Sequence, residues 1–162
     1  MKKFVALYFL FLALLFTLFY ANTSVISTML NEGQTQLTLY ALNLFLEPGQ
    51  LKGIDIWINP NYKIIINQAC NGIIPILFLW ASILAYPATL WHKILWMCLG
   101  YLLFSLVNVF RILLVVHFVE KGGRGHFYWS HDLLGNSILM AVGLGLFIAF
   151  IKTAKSRNPK LG

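Results

Sequence analysis

Apolar residues run through this chain in long blocks rather than in the short alternations of a soluble domain. Four blocks stand out, at about 4–20, 72–90, 94–119 and 133–151. Each approaches or exceeds the roughly 20 residues that a helix needs to cross a bilayer. Inside lipid, backbone N–H and C=O groups have no water to bond, so the blocks predict helices. The polar stretches between them are short, except for the one from Ala21 to Ala69. Within it, Gln36 to Glu47 (QLTLYALNLFLE) is too short to span and spreads its apolar residues around the helix. That predicts a short interfacial segment. Ile54, Ile56 and Ile58 then alternate with Asp55 and Trp57, Asn59-Pro60-Asn61 signals a turn, and β-branched residues follow within Tyr62 to Ile66. This pattern predicts a small β-hairpin that delivers the chain to Cys70.

Composition sharpens the picture. The chain is 59% hydrophobic and only 10% charged, with a mean hydropathy of +0.76. An ordinary soluble domain carries about 25% charged residues, so the deficit places this chain in lipid. Its 162 residues leave room for one membrane-embedded domain, 1–162, and no separate soluble one. The first block follows Met1-Lys2-Lys3 and ends at Phe19-Tyr20-Ala21, a poor cleavage site. It is longer than the roughly 7–15 residues of a signal-peptide core, so it reads as an uncleaved helix.

Charge sets the orientation. With Lys2 and Lys3 in the cytoplasm and four crossings, Lys93, Lys152, Lys155, Arg157 and Lys160 join them there. Glu32, Glu47, Asp55, Glu120 and Asp132 all fall outside. This Lys/Arg asymmetry is the one that fixes membrane topology. The predicted fold class is an all-α integral membrane protein with four transmembrane helices and both termini cytoplasmic. The interfacial segment and the hairpin lie outside, before the second helix. The net charge of +7 reflects orientation, and no basic, aromatic surface in a polar context points to nucleic acid.

That topology gathers three unusual side chains on one face. Cys70 opens the second helix. Arg111 lies about 27 Å along the third helix from Lys93, at 1.5 Å per residue. His131 opens the fourth helix, after Ser130 as a plausible N-cap. Singly, each has a plain structural reading. A lone cysteine is most often a small buried hydrophobe, as Cys98 between Met97 and Leu99 is. An arginine near a helix end snorkels to the headgroups. Together they suggest nucleophilic catalysis. The thiolate attacks, the imidazole serves as acid and base, and the guanidinium stabilises the oxyanion. Asn108, three residues before Arg111, is placed to orient it or to bind a substrate amide. Gly135, four residues after His131, lets another helix approach, and Gly72 leaves room beside the thiol. His92 reads as a cytoplasmic interface residue. His117 points about 120° away from Arg111, and His126 sits in a Gly-rich loop. With no HExxH or CxxC spacing, neither a metal nor a cofactor is expected. Two rival readings remain. One is a non-enzymatic membrane scaffold or assembly factor with a merely packed Cys70. The other is a thiol acyltransferase, against which the outer location, away from cytosolic acyl-CoA, argues.

At these residues the sequence resembles the exosortase/archaeosortase family. Ala69-Cys70-Asn71-Gly72-Ile73 resembles its Cys-x-Gly-Ile/Leu motif, Asn108-Val-Phe-Arg111-Ile112 its Asn-x-x-Arg-Ile motif, and His131-Asp-Leu-Leu-Gly135 its His-x-x-x-Gly motif. Many members have Ser where Asn71 stands, and long members have more spans. The resemblance implies a membrane cysteine endopeptidase or transpeptidase, with Cys70 as nucleophile, His131 as acid/base and Arg111 as oxyanion or substrate clamp. The implied partners are protein substrates with a C-terminal sorting signal: a short motif, a transmembrane helix and a basic tail. Cleavage would occur at the outer, periplasmic face of the inner membrane, with water, an amine or a glycan-linked group as acceptor.

Overall fold

A computed structural model describes residues 2–21 and 25–157 of the chain. Lys160 of the basic tail, and residues 22–24 of the long outer segment, lie outside the described residues. The elements run α1 (Lys2–Phe19), α2 (Val25–Asn43), β1 (Leu51–Lys52), β2 (Asp55–Asn59), β3 (Tyr62–Ile65) and a 3-10 turn (Gln68–Cys70). Then come α3 (Ile73–Ala85), α4 (Leu90–Gly122), the one-turn α5 (His126–Tyr128), a π-helical segment (Trp129–Gly135) and α6 (Asn136–Arg157). Among the described residues, three helical stretches are long and apolar enough to cross a membrane: Lys2–Phe19, Leu90–Gly122 and His126–Ala154. The protein is a mostly helical, multi-pass membrane protein.

The second apolar block departs from the span expected over 72–90. It forms a helix of only 13 residues, about 20 Å long against a hydrocarbon core of roughly 30 Å. Pro87 sets its lower end. The residue before a proline is pushed out of the helical region, and Tyr86 is extended at φ −79°, ψ 138°. Gly72, in the left-handed region at φ 81°, sets the upper end. Short as it is, α3 is the hub of the bundle. Ile73, Leu77 and Ala81 pack on Leu15 of α1. Ile76, Leu79 and Ile83 pack with Phe104 of α4 and with Leu139 and Phe150 of α6. Lys93 Nζ donates to the Leu84 carbonyl at 2.8 Å, tying the lower ends of α3 and α4 together.

Helix α4 is longer than the expected 94–119 and, at 33 residues, extends about 50 Å. The length beyond a bilayer is covered at its Gly122 end. There Val109, Ile112, Val116 and Val119 pack against Ile56, Ile64 and Ile66 of the sheet region, and against Leu39 and Leu42 of α2. The sheet has the order β1-β2-β3, all antiparallel, with Ile56 opposite both Leu51 and Ile64. Ile56, Ile64 and Ile66 are buried, while Lys63 on the other face is exposed and pairs with Asp55 at 2.6 Å.

The segment before the sheet is not the short interfacial piece expected. It is the 19-residue α2, and it is inside out. Ser27, Asn31, Gln34 and Thr38, spaced along one stripe, are buried, while Val25, Ile26, Met29, Leu37 and Tyr40 are exposed. A helix facing water does the opposite. The pattern suits lipid surroundings, where polar side chains must find partners inside the protein. The fourth block also begins earlier than 133, because the chain is helical from His126. Ser130 is therefore no N-cap: its hydroxyl donates back to the His126 carbonyl at 2.7 Å, one turn earlier. His92, expected at an interface, is 3% exposed and stacked on Phe150. The helix between Thr89 and Trp96 turns it inward against α6.

Candidate active site

Cys70 owes its place to the shortness of α3. Counted along α4, about 22 Å separate Lys93 from Asn108, and α3 spans that interval, so the turn before it lands beside Asn108. The Asn108 side chain donates from Nδ2 to the Cys70 carbonyl at 2.8 Å. Gly72 permits this approach. A Cβ there would lie 2.9 Å from Asn108 Cγ, and the backbone is left-handed as well. The room that Gly72 leaves beside the thiol is thus taken by a neighbouring helix, α4, through Asn108. Asn71, fully buried, holds the turn from the other side. Its Oδ1 accepts from the Ile73 amide at 3.0 Å, Nδ2 donates to Asn31 Oδ1 at 3.3 Å, and its carbonyl accepts from Gln34 Nε2 at 3.1 Å. Gln34 in turn bonds Ser105 and Tyr101 of α4. The polar stripe of α2 therefore serves to fasten the cysteine turn.

Arg111 is 3% exposed. Burying a guanidinium costs several kcal/mol unless it is partnered, and three side chains supply partners. Nη1 donates to Asn108 Oδ1 at 3.3 Å, and Nη2 faces Asn136 Oδ1 at 3.2 Å and His131 Nε2 at 3.1 Å. Its Nε has no partner among the described residues. It lies where a side chain on Gly135 would stand, 2.6 Å from an ideal Cβ. The helix that Gly135 admits is thus α4, through this arginine. His131 sits in the π-helical segment, its ring stacked on Phe127 at 5.0 Å and 12°. Its Nε2 is 3.9 Å from Cys70 Sγ, and its Nδ1 is 2.7 Å from Asp132 Oδ1. The first distance is the outer limit of a sulfur hydrogen bond. Such contacts commonly tighten when substrate binds.

Burial pushes the Cys70 thiol up. The hydrogen bond with His131, one with the Asn67 backbone, and the charges of His131 and Arg111 outweigh it, leaving the thiol below the usual cysteine value. Of the three side chains expected from the sequence, Cys70 and Arg111 thus both meet His131, each from a separate element. A sequence profile described as transmembrane exosortase (Exosortase_EpsH) matches residues 2–149. The chain belongs to the transmembrane exosortase family. No curated protein and no solved structure matches it significantly.

The site also contains residues that sequence reasoning passed over. Asn71 stood only as a departure from the family motif, Asp132 only as an acid on the outer side, and Asn136 and Phe127 not at all. Asp132 had a legible signal, since it adjoins the candidate histidine. Asn136 had a weaker one, five residues along a segment whose π-helical turn brings i and i+5 together. His117 meets Phe118 edge-on and His126 bonds the Gly122 carbonyl, so neither joins the candidate site. Among the described residues, no three His, Cys, Asp or Glu side chains are grouped to hold a metal ion. Cys98, read from the sequence as a small buried hydrophobe, is instead exposed on α4.

Proposed function

We propose that the chain is a membrane cysteine endopeptidase or transpeptidase acting on exported proteins. Its substrates end in a sorting signal of motif, transmembrane helix and basic tail. The observation that carries this reading is the convergence of Cys70 Sγ and Arg111 Nη2 on His131 Nε2, at 3.9 and 3.1 Å. On this reading α1, α3, α4 and α6 cross the inner membrane with both termini inside. The site then faces the periplasm, and the basic tail of the substrate stays in the cytoplasm.

The chemistry follows from the contacts. Arg111 donates to His131 Nε2 at rest. A substrate carbonyl entering beside Cys70 draws the guanidinium toward its oxygen and leaves the Nε2 lone pair free for the thiol proton. The thiolate attacks the carbonyl carbon, and Arg111 stabilises the oxyanion that forms. Collapse breaks the C–N bond, the amine leaves with the proton from Nε2, and a thioester remains on Cys70. Water or an acceptor amine then gives its proton to Nε2 as it attacks the thioester, and the thiolate is released.

Substituting Cys70→Ala should abolish processing of a tail-bearing substrate while the protein still inserts. Arg111→Ala and His131→Ala should each cost on the order of 100-fold or more. The readout is the size shift of an exported substrate in membranes containing each variant. Normal processing by Cys70→Ala would sink the proposal and favour the scaffold.

A further inference from the structure

We infer that Asp132 is a positioning residue of this site, holding the His131 imidazole in the tautomer that turns an Nε2 lone pair toward Cys70. This rests on reading Cys70 and His131 as the reactive pair. Each ring nitrogen has its own neighbour. Asp132 Oδ1 lies 2.7 Å from Nδ1, and an ionised carboxylate only accepts, so Nδ1 carries the hydrogen. Arg111 Nη2 lies 3.1 Å from Nε2, and a guanidinium only donates, so Nε2 accepts. Both contacts demand the same tautomer, and Cys70 Sγ stands at that same Nε2.

The charges around the ring strengthen the assignment. Cys70 faces it from the 3-10 turn, Arg111 from α4, Phe127 stacks on it from α5, and Asp132 adjoins it in the π-helical segment. When the thiol proton moves to Nε2, the ring becomes a cation beside the Arg111 cation. Asp132 is the carboxylate that touches the ring and balances them. The proton passes from Sγ to Nε2 and later to the leaving amine, while Nδ1–H stays on the ring throughout. Nothing beyond these groups is consumed. The Asp132 side chain is 45% exposed, so the fold does not depend on its burial.

The test uses the full-length protein in nanodiscs with Cys98→Ser, leaving Cys70 as its single thiol, and needs no protein substrate. Iodoacetamide labelling is followed against pH, and the His131 ring nitrogens are read by 15N NMR. In Asp132→Ala the labelling midpoint should rise by about one pH unit, with the rate near neutral pH falling about tenfold. With only the Arg111 contact left to hold it, the Nδ1–H tautomer should lose population to the Nε2–H form. Asp132→Asn keeps an acceptor without the charge, so its midpoint should rise while the tautomer stays. A labelling profile and a tautomer in Asp132→Ala that match the parent would overturn the inference. That result would leave the processing test of Cys70 standing, because labelling reads the thiol and its base whether or not a peptide is ever cut.

Discussion

Toward its Gly122 end, α4 presents Arg111 to Cys70 and His131; toward its Leu90 end it carries His92 and Cys98. Each end thus has a cysteine and a histidine, and both histidines are drawn into the bundle. At the first end the ring meets a thiol, a guanidinium and a carboxylate. At the second, His92 meets Trp96, a stacked Phe150, the Phe150 carbonyl at 3.4 Å and Thr153 Oγ1 at 3.3 Å. Its Nδ1 is buried without a partner among the described residues, and Cys98 is exposed on the helix. Residue type does not separate the two ends. What separates them is whether a second and a third element bring a complementary group to the same nitrogen. The cysteine turn does so at one end because α3 is short, whereas at the other the polar groups at His92 Nε2 come, among the described residues, from α6 alone.

The comparison is broken most severely by crowding Arg111. A Gly135→Ala methyl would stand 2.6 Å from Arg111 Nε. The guanidinium cannot swing aside without leaving Asn108, Asn136 and His131. A displacement of this kind costs on the order of 100-fold in kcat. Gly145→Ala, on α6 just beyond that segment and with nothing within 4 Å of its Cβ, should be silent. Equal kcat values for the two variants, measured on a processed substrate, would separate Arg111 from the chemistry.

A smaller effect lies in pH. The Cys70 thiol is held below the usual cysteine value, so its thiolate persists to lower pH than a free cysteine's and is lost as pH falls through that depressed value. Arg111→Gln removes one of the charges responsible, and the labelling midpoint of Cys70 should move up by several tenths of a unit to about one unit. Replacing His92 should leave it where it was. An unmoved midpoint in Arg111→Gln would remove Arg111 from the electrostatics of the thiol.

The smallest change is expected at the other end. His92→Leu fills much the same space and removes the partnerless Nδ1 together with the Nε2 contacts to Phe150 and Thr153, two losses of opposite sign. It should leave processing intact and change stability by no more than about 1 kcal/mol. Thermal unfolding and the processing assay together check it. Lost processing would show that the two ends act as one.

Much of the site was legible in the chain. The four apolar blocks, the Lys/Arg asymmetry and the motifs around Cys70, Arg111 and His131 pointed to one face of a membrane protein. The second span was read too long because the apolar run carries past Pro87, and hydropathy does not register that proline's constraint on Tyr86. The character of α2 was missed for a related reason. An inside-out helix has apolar residues around much of its circumference, and its buried stripe is marked by Ser27, Asn31, Gln34 and Thr38, which in water would signal the exposed side. Ser130 was read as a cap because an N-cap and a mid-helix serine look alike until the helix start is known.

By itself the sequence determined the solvent this protein folds in and which side chains are candidates for chemistry, since both follow from residue type and local spacing. The tertiary structure decided that Asn108 fills the room left by Gly72, that Gly135 makes way for the Arg111 side chain, and that Asp132 meets the far nitrogen of His131. These are contacts between elements remote in sequence, or along an irregular helical turn. Their distances depend on where α3 stops and how the π-helical segment winds, and of these only the adjacency of Asp132 to His131 leaves a trace in the local sequence.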